Sequence, residues 1–367
     1  MCLPHIFLWF STPSSDIITV MINVRLNDEK TAVVNLDQTL LPGEIKYSEL
    51  KELDELYEAI FSLRVRGAPA IGIFAAYALY VLAQKIKPDS FESFQKQVLT
   101  LSARLDSSRP TAVNLSTQLR RMERLVSSMQ DSPVPEILDA MHREAELIQQ
   151  EDIQMCRAIS EHGLSLLKPG MGVMTHCNAG PLATSHYGTA LGPILLAQER
   201  GFSPKAFCCE TRPLLQGARL TSFELYNAGV DVTLICDNMA SIIMSEGKIG
   251  AIFVGCDRVA RNGDTANKVG TSGLAILAKH YGIPFYVCCP SSTIDSACPS
   301  GEHIEIELRN PGEIKEMFFE SPVAPEGVKC YNPAFDVTCS SLITGIITER
   351  GICTAPYNES LNIFTKR

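Results

Sequence analysis

The sequence predicts an α/β protein: a small, mostly helical N-terminal domain followed by a parallel sheet covered by helices on both faces. Three observations carry this expectation. The second half alternates short apolar runs with helical patterns, which is the signature of a parallel sheet. The first half carries almost continuous helical periodicity. A chain of 367 residues is also too long for one compact small domain.

Taken in order, residues 33–36 read as a strand, followed by a polar turn at Pro42-Gly43. Ser48 then stands as the N-cap of a helix with Leu50, Leu53, Leu56, Ile60 and Leu63 at helical spacing. The helix expected over 70–83 is apolar on almost every side and therefore buried. Further helices are expected over 90–105, 113–129 and 135–167, the last stopping at Pro169-Gly170. Strand candidates follow at 173–174, 206–208, 232–235, 251–254 and 284–287. The domain boundary is placed near residue 150, giving 21–150 and 151–367, with 1–20 expected as a disordered extension.

Composition narrows the function. The net charge of −9 argues against a nucleic-acid or anionic-membrane partner. The 13 cysteines are an odd number scattered through core-like segments, which suits reduced thiols in a cytoplasmic enzyme. No Lys or Arg precedes Arg25, so the apolar start lacks the basic opening of a secretory signal. No stretch is long enough for a transmembrane helix.

The chain is organised around 175–184, Thr-His-Cys-Asn-Ala-Gly-Pro-Leu-Ala-Thr, read as a strand end, a tight turn and a helix start. Ligands sit at such strand ends, and Cys177 there can be acidified and made reactive. A small buried cysteine in a glycine-bracketed turn is the plainer alternative. At 66–72, Arg-Gly-Ala-Pro-Ala-Ile-Gly offers close backbone approach, a helix N-terminus and the forked charge of Arg66. The same residues also suit an inter-helix turn with a solvated arginine. Ser108-Arg109-Pro110-Thr111 places Arg109 before a helix, where a capping turn is the competing reading. The 210–221 segment follows a strand and opens a helix with polar groups fit to read a sugar, and Asp237-Asn238-Met239-Ala240 repeats that layout. Asp257 follows an apolar strand directly, a place for a partly desolvated carboxyl suited to acid/base work. Asn267 and Lys268, before Gly270-Thr271, have the look of a phosphate or sugar clamp. There is no GxGxxG, no P-loop and no metal-ligand cluster, since His162, His176 and His186 are not at ligand spacing. These residues point to a cofactor-free enzyme that moves a proton on a small phosphorylated metabolite.

Seven motifs in order, at 66–72, 108–114, 176–180, 210–213, 216–221, 237–240 and 262–268, resemble the S-methyl-5-thioribose-1-phosphate isomerase family. That family is related to the regulatory subunits of the translation-initiation exchange factor, which do not need the catalytic pair. The resemblance implies a Rossmann-like C-terminal domain, a homodimer, and an aldose–ketose isomerisation in methionine salvage. It implies Asp257 as proton donor and Cys177 as its catalytic partner. It also implies substrate binding by Arg66, Gly67, Ala68, Arg109, Gln216, Asn267 and Lys268, with no metal. Cys256 departs from the alanine common in the family, and the first twenty residues have no counterpart. Related sugar 1-phosphates (5-deoxyribose 1-phosphate, ribose 1,5-bisphosphate) and a non-catalytic binding role are the competing expectations.

Overall fold

The computed structural model describes residues 22–110 and 112–362; the extension expected at 1–20 lies outside them, as does Thr111. The chain opens with an antiparallel sheet of β1 (Val24–Leu26), β2 (Val33–Leu36) and β3 (Tyr47–Leu50). Here the sequence reading needs correction. Ser48 pairs with Asn35 inside β3, and its hydroxyl accepts a bond from Arg64. The helix α1 (Leu53–Phe61) starts later because Glu52 and Glu55 form a reciprocal capping box, so Leu50 belongs to the strand.

Helix α2 (Ala68–Ala83) is buried along nearly its whole length, as its all-round apolarity requires. It is enclosed by α3 (Phe91–Asp106), whose N-cap Ser90 accepts the Ser93 N–H, by α4 (Val113–Ser128) and by α5 (Val134–Leu164). The 31-residue α5 serves two cores in turn. Ile137, Met141, Ala145 and Ile148 pack into the core around α2, whereas Met155, Ile159 and Leu164 pack beneath the second sheet.

That sheet is built from β4 (Gly172–His176), β5 (Lys205–Cys209), β6 (Asp231–Ile235) and β7 (Ala251–Val254), with helices α6 (Gly192–Glu199), α7 (Ser222–Asn227) and α8 (Ala240–Ser245) between them. A short pair, β8 (Arg258–Ala260) and β9 (Thr265–Lys268), then leads into α9 (Thr271–Tyr281) and β10 (Phe285–Cys288). The chain ends with β11 (Ile294–Asp295), α10 (Gly312–Lys315), β12 (Phe335–Thr338), β13 (Gly345–Thr348), β14 (Gly351–Cys353) and α11 (Tyr357–Ser360).

The seven strands run β14-β13-β10-β7-β4-β5-β6, parallel except for β14 at one edge. The chain winds from β4 outward through β5 to β6, then returns to place β7 on the other side of β4. The crevice between the ends of β4 and β7 is therefore a topological switch point, where ligands bind in open α/β sheets. All five strand candidates of the second half lie in this sheet. A four-stranded sheet, β11-β8-β9-β12, was not expected. Its strands are two to four residues long, and one reads Thr-Ala-Asn-Lys, a polar run without apolar alternation. Among the described residues no helix is long and apolar enough to cross a membrane.

Candidate active site

Cys177 follows β4 directly, and Asp257 lies three residues beyond β7, the strand paired with it; His176 stands opposite Val254 in that pairing. The switch point thus brings together two residues 80 positions apart in the chain. Cys177 has φ 66°, a left-handed conformation that costs a non-glycine residue energy and persists only where surroundings enforce it. Two hydroxyls do so. The Cys177 N–H donates to Thr211 Oγ1 at 2.8 Å, and Thr221 Oγ1 donates to the Cys177 carbonyl at 2.6 Å.

The helix expected immediately after this turn is not there. Residues Pro181–Ala183 make a single 3-10 turn, and α6 begins only at Gly192. The intervening loop instead docks the N-terminal half onto the sheet. The side-chain amides of Asn23 and Gln38 both donate to the Leu182 carbonyl, at 2.9 and 2.8 Å. Gly67, at φ 93°, lies so close to Ala183 that a Cβ would sit 2.4 Å from its backbone. This contact carries Arg66 to the β4 turn, where it donates to Asn178 Oδ1 and to the Asn178 carbonyl, each at 3.0 Å. Behind Arg66, α2 starts at Ala68 with no side-chain cap, which leaves N–H groups free for an anion.

On the other side, β9 presents Asn267 and Lys268. Asn267 is buried and donates to Thr271 at 3.0 Å, while the Lys268 Nζ sits 4.6 Å from the centre of the Phe335 ring. Gln216 is buried as well, and its Oε1 has no partner in the protein. A buried amide oxygen without a donor is costly unless a ligand supplies one. Gln216 precedes a π-helical turn, Gly217–Thr221, a form found mainly at functional sites. The segment expected to open a helix therefore reaches α7 only through this turn.

Asp257 is open to water, yet burial among protein atoms is the largest influence on its carboxyl. That combination describes a cleft floor. Burial pushes the Asp257 pKa up, while Lys268, Arg66 and Arg109 pull it down and Glu307 adds to the rise. Burial also pushes the Cys177 thiol up, against the pull of Lys268 and Arg66. Desolvation is the largest influence on this thiol, and it runs against the acidification that the strand-end position suggested. Arg109 is itself largely buried and faces Glu307, Arg309, Arg66 and Asp257. Cys177, Asp257, Arg66, Arg109 and Lys268 thus come from separate elements into one field of charge.

Sequence reasoning passed over Thr211, Thr221, Asn178 and Glu224, which hold the turn, and Glu307, which faces Asp257 and Arg109. Thr211, Thr221 and Asn178 lie inside motifs already singled out, whereas Glu224 lies just past one; for the two threonines, hydroxyls beside a positive-φ turn are the signal that could have found them. His176, Cys209 and Asp237 bring one ligating atom each within 4.8 Å of one another, a grouping that spacing along the chain hides. Both Asp237 oxygens already accept backbone N–H groups, from Thr211 and Arg212 at 2.8 Å each. This group therefore fits a role in bracing Thr211.

With the geometry in place, comparison with known proteins decides the family. Residues 64–355 match the model described as the initiation factor 2 subunit family. The chain belongs to that family. Within it, the chain is 59% identical over 344 residues to the methylthioribose-1-phosphate isomerase of Symbiobacterium thermophilum, covering 94% of this chain and 96% of that protein. It is 57% identical over 341 residues to the 5-deoxyribose 1-phosphate isomerase of Petrotoga mobilis, covering 93% and 98%. The crystal structure of 5-methylthioribose 1-phosphate isomerase from Pyrococcus horikoshii superposes with a TM-score of 0.90 at 39% identity, covering 94% of this chain and 96% of that one. The family match begins just before Arg66 and ends beyond β14, so it spans every element that lines the cleft.

Proposed function

We propose that this protein is an aldose–ketose isomerase that converts 5-methylthioribose 1-phosphate to 5-methylthioribulose 1-phosphate in methionine salvage. The observation that carries the reading is the meeting of Cys177 and Asp257 at the switch point, within reach of Arg66 and Lys268. The phosphate on the anomeric oxygen prevents the sugar ring from opening by itself. In our reading, Arg66, Arg109, Lys268 and the free N–H groups at Gly67 and Ala68 hold that phosphate. Gln216 and Asn267 bind the sugar hydroxyls. Asp257, with its raised pKa, donates a proton to the ring oxygen. Hydrogen must then pass from C2 to C1, and the C2 hydroxyl gives up its proton to the Asp257 carboxylate as the ketone forms, which restores the acid. A thiol held protonated is a poor standing base, which favours direct hydride transfer with Cys177 shielding and positioning the reacting carbons.

NMR-followed turnover of purified protein, offered methylthioribose 1-phosphate beside 5-deoxyribose 1-phosphate and ribose 1,5-bisphosphate, tests the reading. Ketose forming fastest from the methylthio sugar is the expected result. The Petrotoga relative favours 5-deoxyribose 1-phosphate as the second reading, and preference for that sugar would keep the mechanism and change the substrate. No ketose from any of them would leave a non-catalytic binding role. Retention of C2 deuterium in the product would support hydride transfer, and its loss to water would support a proton route.

The free thiols among the described residues suit a reducing compartment, and we place the protein in the cytoplasm. We also infer a homodimer. Tyr226, Leu234, Met239 and Ile242 leave large apolar side chains exposed on and around β6, the unpaired sheet edge opposite β14. Light scattering on the eluted protein tests this. The change of core along α5 supports a division at 21–150 and 151–367.

A further inference from the structure

Glu224 lies on α7 just past the π-helical turn and is buried, a costly place for a carboxylate without several donors. Its Oε1 accepts the Leu182 N–H at 2.6 Å, and its Oε2 accepts the Asn178 side-chain amide. The same amide nitrogen also donates to Thr221 Oγ1 at 3.1 Å. Asn178 is thereby turned with its nitrogen inward and its oxygen toward Arg66, which donates to that oxygen and to the Asn178 carbonyl. An ionised carboxylate can only accept, so it permits one orientation of the amide and forbids the flipped one.

We propose that Glu224 is a positioning residue: by fixing which way the Asn178 amide points, it sets the guanidinium of Arg66 in its substrate-facing pose. The inference rests on the reading of Arg66 as a phosphate anchor. It extends that reading to a residue behind the cleft. The packing leaves Glu224 little freedom, since a Cβ on Gly180 would sit 2.6 Å from its Oε2.

The charge state of Glu224 gives this role a signature. Burial pushes its pKa up to about 7, with Arg66 opposing the rise, and the other titratable group facing it is the Cys208 thiol of β5. Protonation turns one accepting oxygen into a donor. Either Leu182 or Asn178 then loses its acceptor, and the amide is free to turn. Anion affinity should therefore weaken as pH falls through about 7.

The test compares wild type with Glu224→Gln and Glu224→Ala. It reads kcat and KM for the sugar phosphate, calorimetric affinity for inorganic phosphate, and the melting temperature. In Glu224→Gln the amide at 224 can donate or accept, so the expected result is a KM raised roughly ten- to a hundredfold with kcat changed less, the scale of one charged hydrogen bond. Inorganic phosphate should bind correspondingly more weakly. The phosphate itself takes up a proton near a pKa of about 6, so the diagnostic is the difference between pH profiles. The wild type should weaken additionally near neutrality, and Glu224→Gln should lack that component. A purely structural role would lower the melting temperature and leave KM and phosphate affinity of the folded protein unchanged, which would overturn the proposal. If Glu224→Ala does not fold, Glu224→Gln alone decides. A wild type that binds phosphate but turns over no sugar would sink the proposed function and leave this inference to the calorimetry. A wild type that binds no phosphate would sink both.

Discussion

The ends of β4 and β7 carry two acids into one crevice and hold them by opposite means. Cys177 sits in a strained left-handed conformation pinned by the hydroxyls of Thr211 and Thr221. Asp257 needs no such strain. Its N–H joins the Ala266 carbonyl at 2.9 Å, and the chain continues into β8 of the four-stranded sheet. Burial raises both pKa values, and Lys268 and Arg66 oppose both rises. The consequences differ because the ordinary values differ. A rise makes a carboxyl a weaker acid, more ready to hold a proton, whereas a thiol raised from its already high ordinary value moves further from the thiolate. In the proposed mechanism one field therefore favours a proton donor at one strand end and an uncharged neighbour at the other.

The largest test of that contrast removes each acid in turn. Asp257→Asn keeps the shape and removes the proposed proton donor, and kcat should fall by about 10²- to 10⁴-fold with the melting temperature nearly unchanged. Cys177→Ser keeps a small polar group, and the loss should be smaller if the thiol only positions the reacting carbons. Equal losses in single-turnover measurements would show that the thiol also carries a proton and would break the asymmetry. Unchanged turnover in either variant would remove that residue from the chemistry.

Lys268→Ala should act on both acids at once. Lys268 is the strongest cationic influence on the Asp257 carboxyl and on the Cys177 thiol. An acid that must be protonated loses activity as pH rises through its pKa. Removing a cation that lowers this pKa should therefore move the alkaline fall of kcat to higher pH. KM should rise roughly tenfold or more with the loss of one charged contact to the phosphate. A pH profile that keeps its alkaline limb in place would mean that the group titrating there is not Asp257.

The contrast also separates what was legible in the sequence from what was not. The place of Asp257 at a strand end was legible because Ile252-Phe253-Val254 is an unmistakable buried strand with an acid just beyond it. Helix α2 was found because its apolarity has no polar face to dilute it. The turn after β4 was located, but its continuation was misread. Gly188, Ala190 and Leu191 fit a helix pattern, while tertiary bonds from Asn23 and Gln38 hold the preceding residues as a docking loop. Ser48 was misread because its strand pairing with β2 is invisible to a local pattern. The four-stranded sheet was hidden by strands only two to four residues long, and Glu224 by its place in an ordinary helix-like run. Chain periodicity reports which side of an element is buried. It does not report which polar partner arrives from 40 or 100 residues away.

The smallest effect should come from the brace under Cys177, and it discriminates best between strain and chemistry. Thr211 is buried with φ 64°, and its hydroxyl accepts the Cys177 N–H while donating to the Cys209 carbonyl at 3.0 Å. Asp237 fixes Thr211 in turn through its N–H. Thr211→Val preserves volume and branching but removes the oxygen, leaving a buried N–H without an acceptor at a cost of about 1–3 kcal/mol. The chain can recover part of that cost by relaxing Cys177 away from its left-handed conformation. Stability should then fall by less than that range, while kcat drops several-fold because the thiol has moved. Thr211→Ser restores the hydroxyl without the methyl and should return kcat to near the wild-type value. Full loss of stability with unchanged kcat would mean that the turn holds its shape without the hydroxyl. The strain at Cys177 would then belong to the backbone path through the loop to α6, and the contrast with Asp257 would rest on connectivity instead of hydrogen bonding.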